Sequence, residues 1–128
     1  MIKSSDYRVG PFEVESALME HDAAAEVAVI GVPDEKRHQL VKAYVILKQG
    51  QEPSRELALD MFKHTIEILA KFKIPRIIEF VTEVPKTLSG KIRRIELRER
   101  EIERQDAQGE SPVQEYFYWD FPELSSKK

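Results

Sequence analysis

Pro85-Lys86-Thr87-Leu88-Ser89-Gly90-Lys91 carries the residue types in this chain best suited to chemistry: two lysines bracket a small-residue turn, and Ile92-Arg93-Arg94 follow at once. Proline fixes its own φ and lacks an N–H, and Ser-Gly lets the backbone turn tightly, so the stretch reads as an exposed loop pinning Lys91 at the start of a helix. An ammonium so placed suits a phosphate or a carboxylate, although the same composition also suits a solvated turn. The phosphate-binding loop of nucleotide triphosphatases would need Gly where Pro85 stands and Ser or Thr where Ile92 stands, so that class is excluded. From Lys86 to Arg104, seven basic residues face four acidic ones. The excess lies at the front, in Lys86, Lys91, Arg93 and Arg94, while beyond Arg98 the signs alternate as on a solvated helix face. Two weaker cationic spots are Tyr7-Arg8, after Ser4-Ser5-Asp6, and Lys71 and Lys73 with Arg76 around Pro75. Each by itself reads as surface charge, or as a cation at the negative end of a helix.

Composition narrows the classes. In 128 residues, 20 Lys plus Arg against 23 Asp plus Glu leave a formal net charge of −3. No global field therefore draws nucleic acid or an anionic membrane, and any anion site is local. The length suits one domain and is small for a complete multi-substrate enzyme. The absence of Cys rules out disulfides, thiolate catalysis and cysteine-based zinc sites. His21, with no second His or Cys at ligand spacing, reads as a helix-end residue, and no metal site is expected. The apolar runs are strand-length and the N-terminus lacks the apolar core of a signal peptide, which reads as a soluble, cytoplasmic protein.

The elements that must position these residues follow from periodicity. Ile2 to Val9 is short, polar and β-compatible, and Gly10-Pro11 opens a helix whose Val14, Ala17, Leu18 and His21 share one face. Glu26 to Val32 and Leu40 to Lys48 read as largely buried strands, joined by a short charged loop that suits an antiparallel pair. Pro53-Ser54 starts a second helix with the stripe Ala58, Met61, Phe62, Thr65, Ile66 and Leu69, ending near Pro75. Arg76 to Val81 is a further strand, Thr82 to Gly90 the lysine loop, and Ile92 to about Gln105 the last helix. The order βαββαβα predicts a small α+β domain, about three helices covering a mixed or antiparallel sheet, over residues 1–104. Residues 105–128 read as a polar linker and an aromatic tail, in which five of the 11 aromatics crowd into Tyr116–Phe121. These rings either fold back onto the domain or anchor a partner surface.

Taken together, Ile2-Lys3-Ser4-Ser5-Asp6-Tyr7-Arg8-Val9-Gly10-Pro11-Phe12-Glu13-Val14-Glu15, Val29-Ile30-Gly31-Val32-Pro33-Asp34, Lys73-Ile74-Pro75-Arg76 and Pro85-Lys86-Thr87-Leu88-Ser89-Gly90-Lys91-Ile92 resemble the C-terminal domain of the AMP-forming acyl-CoA synthetases. Within that adenylate-forming superfamily the chain resembles the medium-chain acyl-CoA synthetases most, over about residues 2 to 104. The resemblance implies an ATP-dependent ligase. A carboxylic acid and ATP give an acyl-adenylate and pyrophosphate, the acyl group then passes to CoA, and a small C-terminal domain turns between two poses over a large N-terminal one.

By the same resemblance Lys91 is the adenylation lysine and contacts the adenylate, and Arg8 meets the nucleotide phosphates. Ser5, Asp6, Tyr7, Arg37, Ile74, Pro75 and Arg76 contact CoA. ATP, with Mg2+ held mainly by the large domain, and CoA enter as substrates, and no tightly bound cofactor is implied. The family often carries Gly where this chain has Asp6 and His38. Met1 falls inside the family's Gly-Arg-x-Asp-Asp run, so the chain reads as an excised domain or split subunit, inactive without the large domain. A free-standing module that binds CoA, phosphate or a protein partner is the alternative, and a purely structural adaptor the third.

Overall fold

Alternating apolar residues along two long strands build the centre of the fold, which a computed structural model describes for residues 2–4, 7–34, 38–69, 73–106 and 115–125. Strands β3 (Ala24–Asp34) and β4 (His38–Leu47) pair antiparallel as their β-branched runs predict, with Val27 opposite Val45 and Val29 opposite Ala43. Because side chains alternate across a sheet, Val27, Val29, Val41, Ala43 and Val45 join one core cluster. Ala28, Ile30, Val32, Leu40 and Tyr44 join a second on the opposite face. Both faces are covered. Helices α1 (Pro11–Met19) and α2 (Arg55–Ile68) bury Val14, Leu18, Ala58, Met61 and Phe62 in the first cluster. Helix α3 (Arg94–Asp106) buries Leu97 in the second.

Local signals set the helix starts. Pro11 stands in the first turn of α1 after an extended Gly10. The Ser54 hydroxyl accepts the Leu57 N–H at 3.0 Å and caps α2. The stop of α2 comes earlier than Pro75 predicts: Leu69 is already extended and packs half-buried against the first cluster. Conversely α3 starts two residues late. Ile92 bridges Lys86 across the lysine loop and the Arg93 N–H donates to the Pro85 carbonyl at 2.8 Å, so both are committed to the loop.

Strand β5 (Ile77–Val81) lies parallel to β4, from Lys42 opposite Ile77 to Ile46 opposite Val81, which makes the sheet mixed. Two departures enlarge it from the four expected strands to six. The N-terminal segment is a hairpin, β1 (Ile2–Ser4) against β2 (Tyr7–Val9), because Ile2 pairs with Val9 and Ser4 with Tyr7. The aromatic segment folds back as β6 (Glu115–Phe117), antiparallel to β5 with Ile77 opposite Phe117. A 3-10 turn (Tyr118–Asp120) and the short helix α4 (Pro122–Ser125) follow, and Phe121 and Leu124 enter the first cluster. The sheet runs β2-β1-β4-β5-β6, with β3 on the other edge of β4. The fold is α+β, and no described helix is long and apolar enough to cross a membrane.

Candidate functional site

The lysine loop closes on itself through Thr87. Its N–H donates to the Lys91 carbonyl at 2.8 Å, its carbonyl accepts the Gly90 N–H at 2.9 Å, and its hydroxyl accepts the Lys91 N–H at 3.1 Å. The turn needs Gly90, whose φ of +89° lies where a Cβ is strained. Val84 on one side and Leu97 on the other are buried in the same cluster, so the loop stands on a packed base. At its tip Leu88 is fully exposed, and Lys91 is exposed as the sequence implies.

Of the four cations at the front of this region, three are occupied. Lys86 pairs with Glu26 at 2.6 Å, Arg93 with Glu96 at 3.1 Å, and Arg94 with Glu15 at 2.5 Å. Of these four, Lys91 alone has no carboxylate partner among the described residues. The Arg94 site is a clamp. Its Nη2 meets both Glu15 oxygens, its Nε donates to the Val29 carbonyl at 3.2 Å, and Glu15 in turn accepts the Val29 N–H at 2.8 Å. The Phe12 ring lies 4.6 Å from the Arg94 Cζ. The clamp ties α1, β3 and the first residue of α3 together three positions after Lys91, so the concentration of charge reads in the fold as one available cation and its supports.

Those of the residues implied to contact CoA that the structure describes fall elsewhere. Ser4 is opposite His38 in the sheet, and the Arg76 N–H donates to the Val41 carbonyl at 2.9 Å. Strand β1, the end of β3 at Asp34 and the Ile74-Pro75-Arg76 corner therefore meet beside residues 38–41 of β4. Ile74 and Pro75 are buried; Arg76 is half-buried, its Cζ 4.5 Å from the Tyr118 ring centroid. Lys73 pairs with Glu13 at 2.7 Å. Ser5, Asp6 and Arg37 lie outside the described residues, and of Tyr7 and Arg8 the backbone alone is described, in β2, with Arg8 opposite Lys3. The lysine loop is moored at the far end of the sheet, where Glu26, the partner of Lys86, stands opposite Ile46. At about 3.3 Å per residue, the two ends are roughly 15–25 Å apart along β4.

A second charged cluster escapes the sequence reading. Lys42, wholly buried on the α3 face of β4, pairs with Glu79 at 2.8 Å, with Glu115 at 2.5 Å and with Glu101, which also accepts the Tyr44 hydroxyl at 2.5 Å. Burial by itself would lower the Lys42 pKa. The charges of Glu79 and Glu101 and the hydrogen bonds to Glu101 and Glu115 outweigh it, so the pKa is raised above 10.5 and the ammonium stays charged. The three carboxylates have oxygens within 4.8 Å of one another, a spacing that would suit a metal ion, but the Lys42 ammonium already occupies their centre. The available signal was a charge inside each of two apolar strands, Lys42 and Glu79. His21 closes α1, accepting the Ala23 N–H at 3.1 Å and meeting Asp60 at 2.5 Å, as a helix-end residue does.

Residues 13–91 match the family described as AMP-binding enzyme C-terminal domain. The chain belongs to that family. It is 60% identical over 118 residues to 4-hydroxybutyrate--CoA ligase 1 of Metallosphaera sedula, covering 92% of this chain and 21% of that protein. With human mitochondrial acyl-coenzyme A synthetase ACSM1 it shares 47% over 103 residues, covering 79% of this chain and 18% of that one. The crystal structure of Brucella canis acyl-CoA synthetase superposes with a TM-score of 0.79 at 53% identity, covering 81% of this chain and 19% of that chain. This AMP-binding C-terminal domain thus spans about a fifth of the length of the ligases it matches.

Proposed function

We propose that this domain is the mobile C-terminal part of an ATP-dependent, AMP-forming acyl-CoA ligase and delivers Lys91 to the adenylation step. The observation that carries the reading is the loop itself: an ammonium with no carboxylate partner among the described residues, on a hydrogen-bonded turn, with Lys86, Arg93 and Arg94 beside it each held by a carboxylate. In the first half-reaction a carboxylate oxygen of the acid attacks the α-phosphorus of ATP and pyrophosphate leaves. A fixed ammonium offsets the negative charge shared by the carboxylate and the α-phosphate oxygens, an electrostatic contribution made without reorganisation. Arg8 meets the nucleotide phosphates, where a guanidinium grips two oxygens at once.

The second half-reaction passes the acyl group to CoA. Ser5, Asp6, Tyr7, Arg37 and the Ile74-Pro75-Arg76 corner serve it, and of these the corner lies beside Val41 of β4. The separation along β4 between the Lys86 mooring of the lysine loop, at Glu26 opposite Ile46, and the Arg76 corner, at Val41, supports a domain that turns between poses. ATP with its Mg2+, the carboxylic acid and CoA are the substrates, the large N-terminal domain the partner, and the cytoplasm the compartment.

The test is Lys91→Ala in the complete ligase. Adenylation, followed by pyrophosphate exchange, is expected to fall about 10²–10³-fold, while thioester formation from preformed acyl-adenylate stays within a few-fold. Equal loss in both half-reactions would sink the assignment.

A further inference from the structure

Residues 85–93 form a tight hairpin. Lys86 bridges Ile92, the Arg93 N–H reaches the Pro85 carbonyl at 2.8 Å, and Thr87 and Lys91 close a three-residue turn of Leu88, Ser89 and Gly90. Gly90 takes its positive φ of +89° at the last turn position and donates its N–H to the Thr87 carbonyl, and the Thr87 and Ser89 hydroxyls meet at 3.0 Å, so the tip is stiff. Leu88 sits on that tip. Of the large apolar side chains exposed among the described residues it is the most open, at 111% against 69% for the next, Phe12, which at least lies beside the Arg94 guanidinium. Turn chemistry favours Gly, Pro, Asn, Asp and Ser at such a place, so nothing in the loop itself calls for leucine.

We propose that Leu88 is a docking residue, entering an apolar surface of the large N-terminal domain as Lys91 is delivered and so holding the adenylation pose. The proposal rests on the reading of Lys91 as the adenylation lysine. Two observations name the occupant. The chain spans about a fifth of the length of the ligases it matches, so the surface that receives the loop belongs to the remainder. A stiff turn cannot carry Lys91 to a substrate held there without carrying Leu88, three positions before it, to the same surface. Burying a leucine side chain biases an equilibrium roughly ten- to hundredfold, and here the bias acts on one pose alone, because in the other the tip withdraws together with Lys91. The ammonium supplies the charge; the leucine sets how often that charge is in place.

The complete ligase tests this through its two half-reactions. Leu88→Ser suits the turn and is expected to slow pyrophosphate exchange about three- to thirtyfold, while thioester formation from preformed acyl-adenylate keeps the parent rate. Leu88→Met keeps an apolar side chain of similar size and should stay within about twofold of the parent in both. Thermal midpoints of the two variants should match the parent's, because a fully exposed side chain takes no packing with it. Burial is read directly in a Leu88→Cys ligase: alkylation of the thiol at position 88 by iodoacetamide, followed by peptide mass, should slow about fivefold or more when the acid substrate and α,β-methylene-ATP are added. That readout carries the test if Leu88→Ser does not fold. An unchanged exchange rate in Leu88→Ser, equal loss of both half-reactions, or alkylation indifferent to the two ligands overturns the proposal. If Lys91→Ala slows exchange alone while the position 88 variants do not respond, the docking role falls and the lysine reading stands; if Lys91→Ala slows neither half-reaction, or both alike, the docking role falls with it.

Discussion

Arg94 and Lys91 are three residues apart, carry the same charge and have opposite fates. The guanidinium of Arg94 is shared between Glu15 and the Val29 carbonyl. Arg94→Ala would leave the nearly buried Glu15 carboxylate with the Val29 N–H as its main partner, at a cost of about 2–4 kcal/mol in urea unfolding. Lys91→Ala, at an exposed position, should stay within about 0.5 kcal/mol in the same assay. Sequence spacing shows both as cations near a helix start; only the fold decides which one finds a carboxylate, because Glu15 is 79 positions away along the chain. Lys42 gives a pH-dependent expectation. Its proton is bound more tightly folded than unfolded, so its stabilisation is complete below 10.5 and is lost as pH rises through the higher folded value. Denaturation midpoints should therefore show no loss from this group through neutral pH and decline at strongly alkaline pH. Lys42→Met, which leaves three carboxylates facing one another, should cost about 3–5 kcal/mol, and adding Glu101→Leu should recover part of it.

At the scale of elements, local signals place what local physics controls. The Ser54 cap, the Pro11 start and the apolar stripe of α2 are all legible before folding, and Ser54→Ala is expected to lower stability by about 1 kcal/mol. Element ends are less legible where a distant partner competes. Ile92 has helical spacing yet bridges to Lys86, and the segment Ile2 to Val9 reads as one strand yet pairs with itself. The aromatic segment is the largest case. Its crowded rings leave both a fold-back and a partner surface open in sequence, with the balance toward the fold-back, and what decides is the open edge of β5, invisible until β4 and β5 are aligned. Phe121, buried against Phe62 at 5.5 Å, should cost about 3–4 kcal/mol as Phe121→Ala, whereas the exposed Trp119→Ala should cost under about 1 kcal/mol, both read from thermal or urea unfolding.

For the whole molecule, the chain moors its lysine loop at Glu26, opposite Ile46, and its Arg76 corner at Val41 of the same strand pair, and spans about a fifth of the ligases it matches. On the proposed reading, in which a large domain completes each site, calorimetric titration of CoA and of ATP into the isolated chain should show no saturable heat; tight binding of either would favour a free-standing module. By itself the sequence determined the α+β class, both main helix faces, the central β3–β4 pair and the Lys91 loop, because caps, periodicity and turn residues act over a few positions. Tertiary structure alone decided which cations stay unpaired, that Lys42 fills its own ring of carboxylates, and that Tyr118 lies against Arg76. Those outcomes depend mainly on groups far apart in the chain, up to the 79 positions between Glu15 and Arg94, and such pairs exist only once strand register and helix packing have closed the distance.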